Sequence, residues 1–85
     1  MNAAVFTRGK DIERQKLHCM LYAHFEDYNV VEVVSNTQEL SKLVVNAEID
    51  TIIMTDPGRL TRDRMEYERI QHMLRGYGVT IELTQ

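Results

Sequence analysis

Four short apolar runs are spaced along the chain and are separated by segments of a different periodicity. They are rich in β-branched and other apolar residues, and they cover residues 3–7, 29–34, 50–55 and 79–83. Apolar runs of this length, followed by glycine, proline or polar residues, are typical of strands that are buried within a sheet. The pattern therefore predicts four strands.

The three segments between these strands have apolar residues at helical spacing. The first helix is predicted over residues 11–27, with Asp11 as its cap. It carries two apolar stripes, so we expect it to be covered on more than one side. The second helix begins at a cap formed by Asn36 or Thr37, and the third covers residues 62–75. The stripes of the first helix are Ile12, Cys19, Met20 and Ala23, and Leu17, Leu21 and Phe25.

The order β-α-β-α-β-α-β predicts a single α/β domain over residues 1–85. Strands that alternate with helices favour a four-stranded parallel sheet with the three helices distributed over both faces. Right-handed crossovers favour the strand order 2-1-3-4, which is the flavodoxin-like winding. In that order the chain reverses direction between strands one and three, and ligands of such sheets bind beyond the carboxyl ends of the strands there. The loops at this point cover residues 8–10 and 56–59.

Charge and composition narrow the classes of protein. The net charge is −3, which argues against broad, charge-driven wrapping of nucleic acid. The charge is uneven, because residues 59–75 hold five arginines against three acidic residues, so a local anion site is compatible with an acidic chain. A single cysteine excludes an internal disulfide, and the chain has neither a membrane-spanning run nor the apolar core of a signal peptide. We therefore expect a cytoplasmic protein.

Four cationic residues are brought together by the predicted fold: Arg8, Lys10, Arg59 and Arg62. Planar guanidinium groups are suited to bidentate binding of phosphate oxygens, so one interpretation is a phosphate site. The other interpretation is a solvated edge, in which the arginines are neutralised by nearby carboxylates, and spacing alone favours it. Those carboxylates are Asp11, Asp56 and Asp63.

Short motifs at these positions resemble a known family. Residues 6–8 (FTR) are similar to an aromatic-x-arginine at the end of a first strand, and Gln15 is similar to the glutamine of a first helix. Residues 58–63 (GRLTRD) resemble the motif D-R-L-x-R-D, and they follow an apolar third strand. Together these motifs resemble the catalytic domain of serine recombinases, the resolvase and invertase family, over nearly the whole chain. The resemblance implies a resolvase-like fold.

The resemblance also implies roles for individual residues. Arg8, Arg59 and Arg62 match the positions that hold the scissile phosphate in that family. Asp63 matches the acidic residue that follows them. Lys10, two residues after Arg8, stands where the family has its nucleophilic serine. We therefore expect a phosphate-binding trio of arginines, supported by Lys10, Gln15 and Asp63, around a degenerate catalytic site at Lys10.

Several features depart from the family. The first loop is shortened, Gly58 replaces an aspartate, and the D-x-S-G segment after the second strand is reduced to residues 35–38. The only serines, Ser35 and Ser41, lie outside the loop after strand one, and Ser35 is expected in a turn or cap. The chain ends after the fourth strand, so we expect no long dimerisation helix and no DNA-binding domain. Covalent catalysis needs a positioned nucleophile, so the sequence predicts a domain that is not an enzyme.

Three classes of function stay open at this stage. The first is a catalytically inactive interaction or regulatory module linked to DNA recombination in a phage or mobile element, with a related full-length recombinase or another regulatory protein as partner, or a homodimer. The second is a binder of phosphate or the DNA backbone, with weak DNA affinity at most. The third is a residual phosphoryl-transfer enzyme. No cofactor is expected, and no metal, because the three histidines lack partners at ligand spacing.

Overall fold

The four predicted strands form one parallel sheet in a computed structural model, which describes all 85 residues. The strands are β1 (Asn2–Phe6), β2 (Asn29–Val34), β3 (Thr51–Met54) and β4 (Thr80–Leu83). Their order is β2-β1-β3-β4, and every neighbouring pair is parallel. The predicted α/β fold class and strand order are confirmed. The carboxyl ends of the two central strands, β1 and β3, therefore lie side by side.

Three helices connect the strands: α1 (Ile12–Phe25), α2 (Thr37–Val45) and α3 (Arg64–Gly76). Asn36 caps α2, because its side chain accepts a hydrogen bond from the backbone N–H of Glu39 at 2.8 Å. Asp11 stands at the predicted cap position of α1, but it adopts a left-handed conformation with φ of 58° and its side chain bonds no backbone N–H of the helix. A short 3₁₀ turn, Pro57–Arg59, precedes α3.

Alternate residues of the central strands face opposite sides of the sheet, and each side has its own core. On one side α1 packs alone, and its buried residues Cys19 and Ala23 contact the sheet. On the other side α2 and α3 cover a larger core that includes Phe6 and Met54. None of the helices is long and apolar enough to span a membrane.

The second apolar stripe of α1 lies in solvent. Leu17, Leu21 and Phe25 are 58%, 48% and 78% exposed, whereas Gln15, Cys19 and Ala23 are buried. The expectation that α1 is covered on more than one side is therefore wrong. The physical reason is that each face of the sheet has one layer of helices, and α1 has no neighbouring helix on its own face.

Candidate functional site

A cleft of about 330 Å³ opens at the carboxyl ends of β1 and β3, where the fold predicts a ligand site. It lies between the loop that follows β1 and the loop that follows β3. The three arginines predicted to bind phosphate all line it, and no acidic side chain does. The lining residues are Arg8, Gly9, Gly58, Arg59, Leu60, Thr61 and Arg62.

The side chain of Arg59 links the two loops. Its Nε lies 3.2 Å from Oδ2 of Asp56 and donates a hydrogen bond to Oγ1 of Thr55 at 3.3 Å. Its Nη1 donates to the backbone carbonyl of Arg8 at 3.3 Å. These contacts hold the Arg59 side chain in place. Because a guanidinium group has five N–H donors, N–H groups of Arg59 are still left for a ligand. Asp56 is held in turn, because its Oδ1 accepts a hydrogen bond from the backbone N–H of Gly58.

Arg8 and Arg62 differ from Arg59, because their side chains form no ion pair or hydrogen bond within the protein. Both are exposed at the cleft. Neutralisation by nearby carboxylates, the solvated-edge interpretation, therefore applies only to the pair of Arg59 and Asp56. The cleft retains two uncompensated cationic side chains beside a third that is held rigidly.

Gln15 holds the backbone of the β1–α1 loop. It is 3% exposed, its Oε1 accepts from the backbone N–H of Arg8 at 3.0 Å, and its Nε2 donates to two backbone carbonyls. These are the carbonyls of Arg8, at 2.9 Å, and of Lys10, at 2.6 Å. One side-chain amide therefore forms hydrogen bonds with three backbone polar groups of the β1–α1 loop, which has no secondary-structure hydrogen bonds of its own there. The loop conformation that presents Arg8 to the cleft depends on this side chain.

Gly9 is required in the same loop by its backbone conformation. It has a φ of 84°, which side chains disfavour, whereas a Cβ built there would lie at an ordinary contact distance, 3.5 Å, from Nη1 of Arg59. Lys10, the residue expected at the degenerate catalytic position, is exposed and does not line the cleft. The β1–α1 loop therefore presents Arg8 and Gly9 to the cleft, whereas Lys10 lies outside it.

Asp63 stands outside the cleft and starts α3. Its Oδ1 accepts hydrogen bonds from the backbone N–H groups of Met65, at 3.0 Å, and Glu66, at 3.4 Å. The sequence predicts that the helix begins at Arg62. This cap explains why it begins at Arg64 instead. Arg62 consequently reaches the cleft from an irregular segment, not from the first turn of a helix.

A pair of hydroxyls at the same edge of the sheet was missed by sequence reasoning. Oγ1 of the buried Thr7 lies 3.1 Å from Oγ of Ser35. Of the turn or cap role predicted for Ser35, the cap does not apply, because Asn36 caps α2; Ser35 lies in the connection between β2 and α2. The available signal was that both hydroxyls follow directly after adjacent parallel strands. Ser41 donates to the carbonyl of Thr37 within α2.

No group of histidine, cysteine, aspartate and glutamate side chains is arranged to hold a metal ion. Cys19, a residue of α1, is buried between that helix and the sheet, and this burial raises the pKa of its thiol to about 11. A thiol with such a pKa stays protonated at neutral pH and is a poor nucleophile. The chemistry of the cleft therefore depends on its guanidinium groups.

Comparison with known proteins gives similar solved structures but no similar sequences. No protein-family model and no curated protein sequence matches the chain. Among solved structures, it is similar to the N-terminal catalytic domain of TP901-1 integrase, with a TM-score of 0.91 and 16% identity over 99% of this chain and 77% of that one. It is also similar to a resolvase family site-specific recombinase from Streptococcus pneumoniae, with a TM-score of 0.83 and 13% identity over 99% and 72% of the two chains. The chain has the resolvase catalytic-domain fold.

The similarity corrects one prediction. The prediction that the domain is not an enzyme is wrong as a conclusion from the sequence, because the structures that share this fold are a catalytic domain and a recombinase. Lys10, at the position that the sequence resemblance matches to the family's serine, does not establish that activity is absent. The resolvase fold at this level of identity assigns no activity to the chain either.

Proposed function

We propose that this chain is a recombination-related domain that binds a phosphodiester of the DNA backbone in the cleft between the β1–α1 and β3–α3 loops. The observation that carries the proposal is the convergence of Arg8, Arg59 and Arg62 on a cleft that no carboxylate lines. The solved structures with this fold include the catalytic domain of an integrase and a site-specific recombinase, and this similarity favours the DNA backbone as the source of the phosphate.

The electrostatics of the cleft favour an anion. Arg8 and Arg62 have no acidic partner in the protein, so bringing a phosphate between them does not require an existing ion pair to be broken. Arg59 is fixed by Asp56 and by the Arg8 carbonyl, which reduces the entropy lost when its remaining N–H groups bind phosphate oxygens. The cleft thus combines one preorganised guanidinium with two that can adjust to the ligand.

The test is thermal unfolding with inorganic phosphate varied at constant ionic strength. A ligand that binds only the folded state stabilises it by about 2.7 kcal/mol at a hundredfold excess over its Kd. We expect Arg62→Ala to lose most of the phosphate-dependent stabilisation with little change in stability without phosphate, because its side chain has no protein partner. Arg59→Ala should lose both, since the same side chain also bonds Asp56.

Arg69→Ala is the matched control, because Arg69 is an exposed arginine of α3 that does not line this cleft. It removes the same charge from the chain, so a loss of phosphate response there would indicate a general charge effect. An equal response to phosphate in the wild type, Arg62→Ala and Arg59→Ala would contradict the proposal.

A second candidate function is an interaction module in DNA recombination, and the exposed stripe on α1 favours it. Large apolar side chains grouped on a surface mark sites of protein contact. Leu17, Leu21 and Phe25 follow one another at intervals of four residues on the solvent side of α1. We propose that this stripe contacts a second copy of the chain or a related full-length recombinase.

Sedimentation velocity tests this candidate, with the chain alone and mixed with a resolvase-family recombinase. Leu21→Glu should abolish any self-association or complex. Val45→Glu is the control, because Val45 is an exposed apolar residue on α2, which lies on the other side of the sheet. A wild-type chain that stays monomeric and binds no recombinase would contradict the candidate function.

A further inference from the structure

A second cleft, of about 460 Å³, adjoins the phosphate-binding cleft along the start of α3. The two clefts share Gly58, Thr61 and Arg62, so they lie directly beside each other. The volume of the second cleft falls in the range of about 300–1,000 Å³ that is typical of small-ligand sites. Its lining residues are Pro57, Gly58, Thr61, Arg62, Arg64, Tyr67, Glu68 and Gln71.

The lining of the second cleft differs chemically from that of the first. It includes an aromatic ring, Tyr67, an amide, Gln71, and a carboxylate, Glu68. The carboxylate pairs with Arg64, so Arg62 is the one cationic side chain of this cleft without an acidic partner. An amide and a carboxylate can, however, donate to and accept from the polar edge of a nucleobase, and an aromatic ring offers a stacking surface that every base can use.

The polar groups of this cleft are available to a ligand. The one ion pair across it joins Nε of Arg64 to Oε1 of Glu68 at 3.7 Å, and both side chains are exposed, so it is weak in water. The side chains of Tyr67 and Gln71 are half-buried and form no hydrogen bond within the protein. Arg62, in the shared wall, can hold a phosphate at the boundary of the two clefts.

We propose that the second cleft binds the nucleoside adjoining the phosphodiester held by the arginines, with its base against the ring of Tyr67 and its edge hydrogen-bonded to Gln71 and Glu68. This inference rests on the proposed phosphate-binding function. A base that stacks on a side chain is unpaired, so the ligand is a single-stranded or locally unpaired stretch of nucleic acid.

Two small ligands separate this inference from the phosphate-binding proposal. Dimethyl phosphate carries one phosphodiester charge and no nucleoside, whereas the dinucleotide of two thymidines carries the same charge with a nucleoside on each side. We expect the dinucleotide to bind about tenfold more tightly, the order expected from stacking one base. Titration followed by ¹H–¹⁵N and aromatic NMR should shift the Gln71 side-chain amide and the Tyr67 ring with the dinucleotide only.

Variants of α3 identify the groups responsible. Tyr67→Ala should remove the advantage of the dinucleotide without changing the affinity for dimethyl phosphate, and Tyr67→Phe should retain it. Gln71→Ala should reduce the advantage, and it serves as the main test if Tyr67→Ala does not fold. His72→Ala is the control, because His72 is exposed on the same helix and lines neither cleft.

Each outcome has one meaning. If dimethyl phosphate and the dinucleotide both fail to bind, the phosphate-binding proposal fails and this inference with it. If both bind equally well, or if Tyr67→Ala and Gln71→Ala leave the advantage of the dinucleotide intact, the nucleoside site alone is wrong. Tighter binding of a duplex than of a single strand of the same sequence would also overturn it.

Discussion

At the scale of single residues, the loop that presents Arg8 is held by side-chain to backbone hydrogen bonds rather than by secondary structure. The buried amide of Gln15 bonds two carbonyls and one N–H of that loop. Buried polar groups that lose their partners are costly, at about 1–3 kcal/mol each. The stability of the domain and the geometry of the cleft are therefore coupled through one uncharged side chain.

Gln15→Glu tests this coupling with almost no change in shape. A carboxylate still accepts from the N–H of Arg8, but it cannot donate to the carbonyls of Arg8 and Lys10, which lie within 2.9 Å of the present donor. We expect the free energy of unfolding at pH 7 to fall by about 2–4 kcal/mol. Chemical denaturation measures this change.

Gln38→Glu is the control, since Gln38 is exposed in the first turn of α2, where a carboxylate is tolerated or slightly favourable. A change of less than about 0.5 kcal/mol in Gln15→Glu, the size typical of surface substitutions, would show that the loop does not depend on these hydrogen bonds.

Cys19 predicts a dependence of stability on alkaline pH. Burial raises the pKa of its thiol from 9.0 to about 11, so the unfolded chain releases this proton at lower pH than the folded one. Its contribution to stability is therefore complete below pH 9 and is lost as the pH rises from 9 to 11. At about pH 10.5 the loss should reach about 2 kcal/mol.

Comparison with Cys19→Ala isolates this contribution from that of the tyrosines, which both proteins retain. The wild type should lose more stability between about pH 8 and about pH 10.5 than the variant, and its thiol should react with iodoacetamide far more slowly when folded than when unfolded in urea. Parallel pH profiles for the two proteins would contradict the assignment.

At the scale of elements, the point at which α3 begins decides how Arg62 is presented. The carboxylate of Asp63 caps the helix, so Arg62 precedes the first turn and lies in the wall between the two clefts. Asp63 therefore supports the site through the helix it starts. Its carboxylate does not line the cleft, so its removal should leave the charge of the lining unchanged.

Asp63→Ala should lower the free energy of unfolding by about 1 kcal/mol, the usual loss for an N-terminal cap, with a small loss of helical signal. Asp63→Asn should retain most of the stability, because an amide oxygen also accepts from the N–H groups of Met65 and Glu66. Phosphate affinity should change little in Asp63→Asn. A large loss of affinity there would mean that the carboxylate itself contributes to the site.

The elements show how much the sequence determines. Periodicity and strand length predict the sheet order, because each apolar run is local and the crossover rule is general. The same reasoning does not predict the hydrogen bonds of Gln15 to the β1–α1 loop, nor the exposure of the second apolar stripe of α1. Both depend on which groups lie beside these residues in the folded structure, and periodicity along the chain does not show this. Nor does the sequence show that Asp11, at the cap position of α1, adopts a left-handed conformation in which its side chain bonds no helix N–H group.

The candidate site, too, was predicted from the sequence only in part. The position of the cleft follows from topology, which brings the loops of Arg8 and Arg59 together, whereas the phosphate-binding trio with Arg62 was assigned by the resemblance of the motifs to the recombinase family. Which of them is paired could not be predicted, because each arginine has a carboxylate within three residues: Asp11, Asp56 or Asp63. Only the folded geometry shows that Asp56 pairs with Arg59, whereas Asp63 caps a helix.

At the scale of the whole molecule, the basic cleft is set in an acidic protein. The net charge of −3 repels a polyanion as a whole, while the cleft attracts one phosphate locally. Such a distribution favours few, localised contacts with DNA. It also makes the number of those contacts measurable, because each neutralised phosphate contributes to the salt dependence of binding.

We expect the isolated chain to bind DNA weakly, with a Kd near the non-specific values of about 10⁻⁴–10⁻⁶ M at physiological salt. If the cleft neutralises the one phosphate that it holds, the slope of log K against log salt for duplex DNA should be about −0.9, which is a loss of about 3.5-fold between 50 and 200 mM salt. Fluorescence anisotropy with a labelled duplex oligonucleotide measures both quantities. Arg62→Ala should weaken binding and make the slope shallower, whereas Arg69→Ala, which removes an equal charge outside the cleft, should leave both unchanged. Equal Kd values and slopes in the wild type and in Arg62→Ala would show that DNA contacts another surface, and nanomolar, sequence-selective binding would show that more than this cleft reads the DNA.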